Sequence, residues 1–223
     1  MMITDEVARR LGLAINSESE YSGSGALGYQ AFDDAGVECE VGEFLYAMVR
    51  LLKPKRILET GTHKGISTVY MALAVSHNAF AAETQIDTLE FLPELYNTAA
   101  RNFQKAKLFH LINNIQADAT KWQPPRGTRY DMALLDTEPQ LRFNELVRFC
   151  DYIKPGGYIF IHDLHRHMGQ VDNTEHGFAW PWGEIPHAIR ELIEHSRLRP
   201  FHFPTPRGLA GFYKIHPEDY VWA

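Results

Sequence analysis

From Gly42 onward, short apolar runs rich in β-formers alternate with segments whose apolar residues recur at the helical period. Such an alternation predicts an α/β domain, because parallel strands can be joined only by crossover segments, and those segments are usually helices. The pattern predicts a helix over 43–52, a strand over 56–59, a glycine loop and a helix over 67–75. A strand over 80–83, a helix over 89–107 and a strand around 110–116 come next, followed by a strand over 131–136, a helix over 142–153 and a strand over 158–162. The chain closes with a helix over 185–197 and strands near 199–203 and 209–215. Ahead of the alternation, MMITDEVARRLGLAI reads as an amphipathic helix, with Asp5 and Glu6 where a secretory leader would be basic.

Two stretches break the rhythm. SESEYSGSGALGYQAFDDAG, over 17–36, is rich in Gly and Ser, and 164–183 holds His, Trp and Pro without a helical period. Structureless stretches of this length in a compact domain are usually functional, so both are expected to lie over one site. The organisation that follows is a single domain over 1–223, with 1–41 as an N-terminal helix and lid segment and 164–184 as an inserted substrate loop. A chain of 223 residues can bury a sizeable core unaided, and 45% hydrophobic with 22% charged residues fits a globular protein. The net charge of −6, with Lys and Arg spread singly, argues against nucleic acid or anionic membrane as a partner. No apolar run reaches the roughly eighteen residues of a membrane span. Cys39 and Cys150 are the only cysteines and read as reduced, buried thiols of a cytoplasmic protein.

The most informative stretch is RILETGTHKGISTVYMALA, from Arg56 to Ala74. A strand ending in Glu59, then Gly61-x-x-x-Gly65-x-Ser67, then a helix, places a ligand at the carboxyl edge of the sheet. The dinucleotide fingerprint fails, because His63 stands where the second glycine belongs. A Walker loop fails too, since Lys64 precedes Gly65 instead of following it. Acidic residues close the later strands: Glu83 some twenty residues on, where an acid commonly holds ribose hydroxyls, then Asp118 in QADAT and Asp136 in YDMALLD.

GEFLYAMVRLLKPKRILETGTHKGISTVYMALA, YDMALLD, YIKPGGYIFIHD and the terminal GLAGFYKI together resemble the class I S-adenosylmethionine-dependent O-methyltransferases, nearest the macrocin-type, cephalosporin-hydroxylase-like and catechol-type branches. The resemblance implies a Rossmann-like, doubly wound sheet of seven strands, mostly parallel with a C-terminal antiparallel pair and with helices on both faces. It implies S-adenosylmethionine as cofactor. Glu59, Gly61, Thr62, His63, Gly65 and Ser67 would hold the methionine end, Glu83 the ribose, Asp118 and Ala119 the adenine, with Asp136 beside the sulfonium. The expected acceptor is a small hydroxylated molecule, with sugars and glycosylated natural products favoured by the macrocin-type likeness; a homodimer is implied by the same likeness. A nitrogen acceptor, a hydroxylase-like relative and a non-catalytic adenosyl-ligand-binding protein stand as alternatives.

Asp136 and the pair His162-Asp163 end neighbouring strands and can converge. Converging carboxylates suggest a divalent cation, Mg²⁺ or Mn²⁺, with Asp136, His162 and Asp163 as ligands. The macrocin-type pattern has two acids where this chain has His162 and Asp163, and the catechol-type asparagine would fall on Leu164. Without a metal, Asp163 would make a structural hydrogen bond and His162 would be a satisfied strand-end histidine. Methyl transfer to a hydroxyl needs the acceptor in line with the methyl group and relieved of its proton. Asp136, Asp163 and His165 are the catalytic candidates, with His167 next to them and Trp180 and Trp182 as an aromatic wall or an anchor for the insertion.

Overall fold

The computed structural model describes residues 2–18, 29–33, 35–79, 81–138, 140–163, 187–196, 198–203, 205 and 207–216. The elements run α1 (Ile3–Leu11), β1 (Asn16–Glu18), β2 (Tyr29–Ala31), α2 (Cys39–Leu52), β3 (Arg56–Thr60), α3 (Ile66–Ser76), β4 (Gln85–Glu90), α4 (Pro93–Lys105) and β5 (Ile112–Gln116). After these come β6 (Tyr130–Leu135), α5 (Arg142–Phe149), β7 (Ile153–His162), α6 (His187–Ser196), β8 (Leu198–Phe203) and β9 (Leu209–Lys214). The main sheet has seven strands in the order β5-β4-β3-β6-β7-β9-β8. Its first five strands are parallel, and β9 runs antiparallel to both β7 and β8. This is the sheet that the sequence predicts. The chain lays β4 and β5 outward on one side of β3 and returns to lay β6 and β7 on the other, which leaves a crevice between the carboxyl ends of β3 and β6.

Side-chain alternation divides the interior into two layers. Ile57, Met132, Leu134 and Phe160 face one core with α3, whereas Leu58, Ala133, Leu135, Ile159 and Ile161 face the other with Leu146 and Phe149 of α5. Helix α3 has no solvent face: every residue from Ile66 to Val75 is buried. A helix that is apolar all round must be covered on all sides. The sheet covers one side of α3, α2 packs on another, and α1 reaches it through Thr4, whose hydroxyl accepts from the Tyr70 phenol at 2.9 Å.

Three features differ from the sequence expectation. The strand expected over 80–83 is β4, five residues later, and Ala81–Glu83 forms a turn of 3-10 helix ahead of it. QIDTLE hides its strand character because Asp87 and Thr88 are polar yet buried. Their partners are remote: the Tyr130 phenol at 2.8 Å and the Asn113 amide at 2.9 Å on Asp87, and Glu59 at 2.5 Å from Thr88. Helix α2 begins at Cys39, four residues earlier than expected, with Val41 and Gly42 in its first turns obscuring the period. Asn16–Glu18 and Tyr29–Ala31 pair as a small antiparallel ribbon where the sequence suggests no regular structure. Cys39 and Cys150 are buried and not joined in a disulfide. Among the described residues no helix is long and apolar enough to cross a membrane.

Gly42 sets the contact between α2 and α3. A Cβ there would stand 2.4 Å from the ring of Tyr70, which is fully buried and held by Thr4. Gly42→Ala would gain about 1 kcal/mol of helix propensity and lose about 1–3 kcal/mol to overpacking. Overpacking is expected to win, lowering the urea-unfolding free energy by about 1 kcal/mol. An unchanged or raised midpoint would show that the Tyr70 ring can yield.

Candidate functional site

The loop between β3 and α3 is bound almost entirely to protein. Gly61 and Thr62 donate their amides to the Leu89 carbonyl at 2.9 and 3.1 Å, His63 donates to Glu90 Oε2 at 2.7 Å, and Gly65 donates to the Thr62 carbonyl at 2.8 Å. A phosphate cradle needs those amides free. The glycines serve close packing of the chain on itself: a Cβ on Gly61 would sit 2.2 Å from the Asp136 carbonyl oxygen, and one on Gly65 would sit 2.4 Å from the Phe103 ring. Both lie at positive φ, 79° and 80°, where glycine carries no Cβ penalty. His63 adopts φ 52° without that freedom and is held there by Glu90.

Beneath the loop lies Glu59, wholly buried. Its carboxylate accepts from Ser67 at 2.5 Å, from Thr88 at 2.5 Å and from Thr68. Burial nevertheless pushes its pKa up to about 7, against the pull of the three hydroxyls. Glu59 therefore ties the end of β3 to the first turn of α3 and to β4, and does not reach the cavity. Thr62, bonded to the Thr88 hydroxyl at 2.5 Å, and Ser67 serve the same inner network, while Gly65 packs on α4. Of the six residues expected to hold the methionine end, Gly61 and His63 line the cavity.

That cavity has a volume of about 550 Å³ and opens at the carboxyl ends of the parallel strands. Across the sheet it meets Asp118 after β5, Glu90 at the end of β4, Gly61 after β3, Asp136 after β6 and Asp163 after β7. At about 4.8 Å per strand, five neighbouring strands make a trough of roughly 19 Å. Leu89, Phe91, Leu92 and Leu95 give one wall an apolar character. Ala119 lies beside Asp118, whose pKa is held down to about 2 by Lys121 and by Thr120.

Glu83 requires correction. It stands in the turn before β4, more than half exposed and paired with Lys55 at 3.1 Å, at the amino edge of the sheet. The acid at the carboxyl end of that strand is Glu90. Each of its oxygens accepts one amide, from His63 at 2.7 Å and from Leu92 at 2.8 Å, and keeps a second lone pair. Displacing the strand by five residues displaced the acid with it.

At the β6–β7 side the expected trio converges: Asp136, His162 and Asp163 offer ligand atoms within 4.8 Å of one another. Three residues that the sequence did not single out join them. Arg142, at the start of α5, reaches Asp136 at 3.0 Å and donates to the carbonyls of Thr137 at 2.8 Å and His162 at 2.5 Å. Arg207, just before β9, grips both oxygens of Asp163 at 2.7 Å. Glu38, ahead of α2, takes the His162 Nε2 at 2.5 Å and the Arg207 amide at 3.1 Å. His162 Nδ1 lies 3.2 Å from both oxygens of Asp136. Burial disfavours a charged His162, but the carboxylates of Asp136 and Glu38 outweigh it and push its pKa up to about 10. Asp163 is held well below the usual carboxylate range: burial opposes this, and His162 and Arg207 overcome it. Asp163 sits at φ 65°, which turns its side chain toward Arg207. Glu90 was findable in sequence as the acid closing an amphipathic run; Glu38 and Arg207 carried no local signal. His165, His167, Trp180 and Trp182 lie outside the described residues, as does most of the glycine-serine stretch of the N-terminal segment.

A mostly parallel sheet, a glycine loop whose amides are bound to protein and a trough lined by carboxylates define an α/β protein whose site suits a ligand without phosphate. Residues 58–164 match the family described as "Methyltransferase domain". The chain is 28% identical over 135 residues to tapetum-specific methyltransferase 1 of Arabidopsis thaliana, a match covering 59% of this chain and 56% of that protein. It is 26% identical over 175 residues to a putative caffeoyl-CoA O-methyltransferase of the same plant, covering 77% and 73%. Among solved structures, an O-methyltransferase from Bacillus cereus in complex with SAH superposes with a TM-score of 0.63 at 17% identity, covering 94% of this chain and 91% of that one. Over residues 58–164 the chain is thus similar to methyltransferase domains, and it shares its fold with O-methyltransferases of known structure.

The raised pKa of Glu59 makes a pH prediction. The folded protein holds this proton more tightly than the unfolded chain, so the contribution is complete below pH 4.5 and is lost as pH rises through about 7. A displacement of that size corresponds to about 3 kcal/mol. Glu59→Gln should therefore gain stability relative to the wild type by roughly this amount between about pH 5 and about pH 8. Parallel urea-unfolding curves at the two pH values would refute the assignment.

Proposed function

We propose that this protein transfers a methyl group from S-adenosylmethionine to a hydroxyl of a small molecule, and that the 550 Å³ trough holds the cofactor. The supporting observation is the order of groups along the sheet edge: Asp118, Glu90, Gly61, Asp136, Asp163. That order suits an extended ligand with adenine at one end, a diol next, and an amino-acid and sulfonium end beside Asp136. The free lone pairs of Glu90 accept from the two ribose hydroxyls. Asp118 and Ala119 border the adenine, and the Leu89, Phe91, Leu92 and Leu95 wall excludes water from its face. Gly61 lets the backbone approach, and Asp136 places negative charge near the cationic sulfur.

The cofactor supplies an electrophilic methyl group; the chain supplies alignment and dryness. The acceptor side of the trough is bounded by Thr137, Glu138, Leu141, Arg142 and Asp163. Holding an oxygen in line there provides much of the acceleration that such a transfer needs. Both oxygens of Asp163 are engaged by Arg207, so Asp163 acts as a positioning residue, whereas Asp136 keeps 14% side-chain exposure and faces the ligand. The small hydroxylated acceptor is consistent with relatives named as O-methyltransferases, one of them for caffeoyl-CoA.

S-adenosylhomocysteine should raise the melting temperature, by the equivalent of about 2.7 kcal/mol at a hundred times its Kd. No shift at saturation would end the reading. Glu90→Gln should weaken cofactor-product binding about 10- to 100-fold, the equivalent of hydrogen bonds to a charged group, while Glu83→Gln should leave it within about twofold. The reverse pattern in calorimetric titration would restore the ribose role to Glu83.

A further inference from the structure

The convergence of strand-end residues suggested a divalent cation on Asp136, His162 and Asp163, and their ligand atoms do lie within 4.8 Å of one another. Each of the three, however, already holds a charged partner. Arg207 holds Asp163 through two parallel N–H bonds of 2.7 Å, the fork geometry that matches a carboxylate most closely. Both ring nitrogens of His162 face carboxylates, Glu38 at 2.5 Å and Asp136 at 3.2 Å. Carboxylates only accept, so both nitrogens carry hydrogen and neither has a lone pair for a metal. The Arg142 guanidinium, 3.0 Å from Asp136 and 3.6 Å from Asp163, places positive charge where a cation would stand.

We propose that Arg142 and Arg207 take the place of a divalent cation at this rim, so that the acceptor half of the trough works with positive charge supplied by the protein itself. Charge balance favours this arrangement. Three carboxylates (Glu38, Asp136 and Asp163) face two guanidiniums and one imidazolium, so an added dication would be an uncompensated buried charge. Arg207 has no easy retreat: it is 1% exposed, and it also donates its side chain to the Gly36 carbonyl and its amide to Glu38. Arg142 lines the trough and directs N–H groups to the Thr137 and His162 carbonyls and to Asp136. Its charge is therefore positioned to favour an oxygen that becomes negative on losing its proton.

The role of that charge rests on the methyltransferase reading, but the test of metal binding does not. The full chain is titrated with Mn²⁺ and free Mn²⁺ is followed by electron paramagnetic resonance, with and without S-adenosylhomocysteine. The wild type is expected to leave the free-ion signal undiminished, and the melting-temperature shift produced by S-adenosylhomocysteine is expected to be the same in EDTA as in Mn²⁺. Stoichiometric Mn²⁺ binding in the micromolar range would overturn the proposal, whether or not the cofactor product binds. The double variant Arg142→Met/Arg207→Met removes both guanidiniums while keeping their apolar stems, and is expected to gain Mn²⁺ binding at Asp136 and Asp163. A folded double variant that still ignores Mn²⁺ would refute the substitution of arginine for metal; if that variant does not fold, the wild-type titration decides alone. Failure of S-adenosylhomocysteine to shift the melting temperature would count against the cofactor reading separately.

Discussion

Six ionisable side chains meet at the carboxyl ends of β6 and β7, and none could be buried there without the others. Glu38, His162, Asp163, Arg142 and Arg207 are all at most 3% exposed, and Asp136, the most exposed of the six, lines the trough with Arg142 and Asp163. Taking one charge out of water costs several kcal/mol, and leaving its partner behind costs as much again. The network therefore behaves as a unit. It joins chain segments far apart in sequence: the turn before α2, the ends of two central strands, the start of α5 and the approach to β9. The antiparallel β9 is thereby fastened to the parallel half of the sheet at the place where the acceptor would enter.

A second polar knot lies beneath the glycine loop. Glu59 gathers hydroxyls from α3 and β4, and the loop above it hydrogen-bonds to Leu89 and Glu90. Most of the residues that make this loop conspicuous in sequence thus hold the loop in place, and few of them face a ligand. The glycines are needed because two stretches of backbone and one aromatic ring come too close for a Cβ. On the proposed function these bonds matter, because a wall that aligns a methyl group to a fraction of an ångström cannot be free to move.

The trough inherits its layout from the strand order. Parallel strands bring their carboxyl ends to one edge, and each contributes one group there, so five connections spaced along the sequence become one line of contacts. Carboxylates dominate that line. A ligand rich in hydroxyls and positive charge fits it better than one rich in phosphate, and the loop amides, bound to the protein, point the same way.

The α/β class, six of the seven sheet strands, the glycine loop and the strand-end positions of Asp118, Asp136, His162 and Asp163 were legible in the sequence, because periodicity and strand-end chemistry are local properties. β4 was not, since its buried Asp87 and Thr88 look like surface residues until Tyr130, Asn113 and Glu59 are brought to them. The same blindness exchanged Glu90 for Glu83. What the tertiary structure alone decided is which polar groups face the trough and which face one another: Glu59 turned inward, Glu90 outward, and Arg207 closed on Asp163. Hydrogen bonds and ion pairs between residues tens of positions apart leave no periodic trace along a chain, so only folding, by setting the distances between them, assigns each carboxylate its partner.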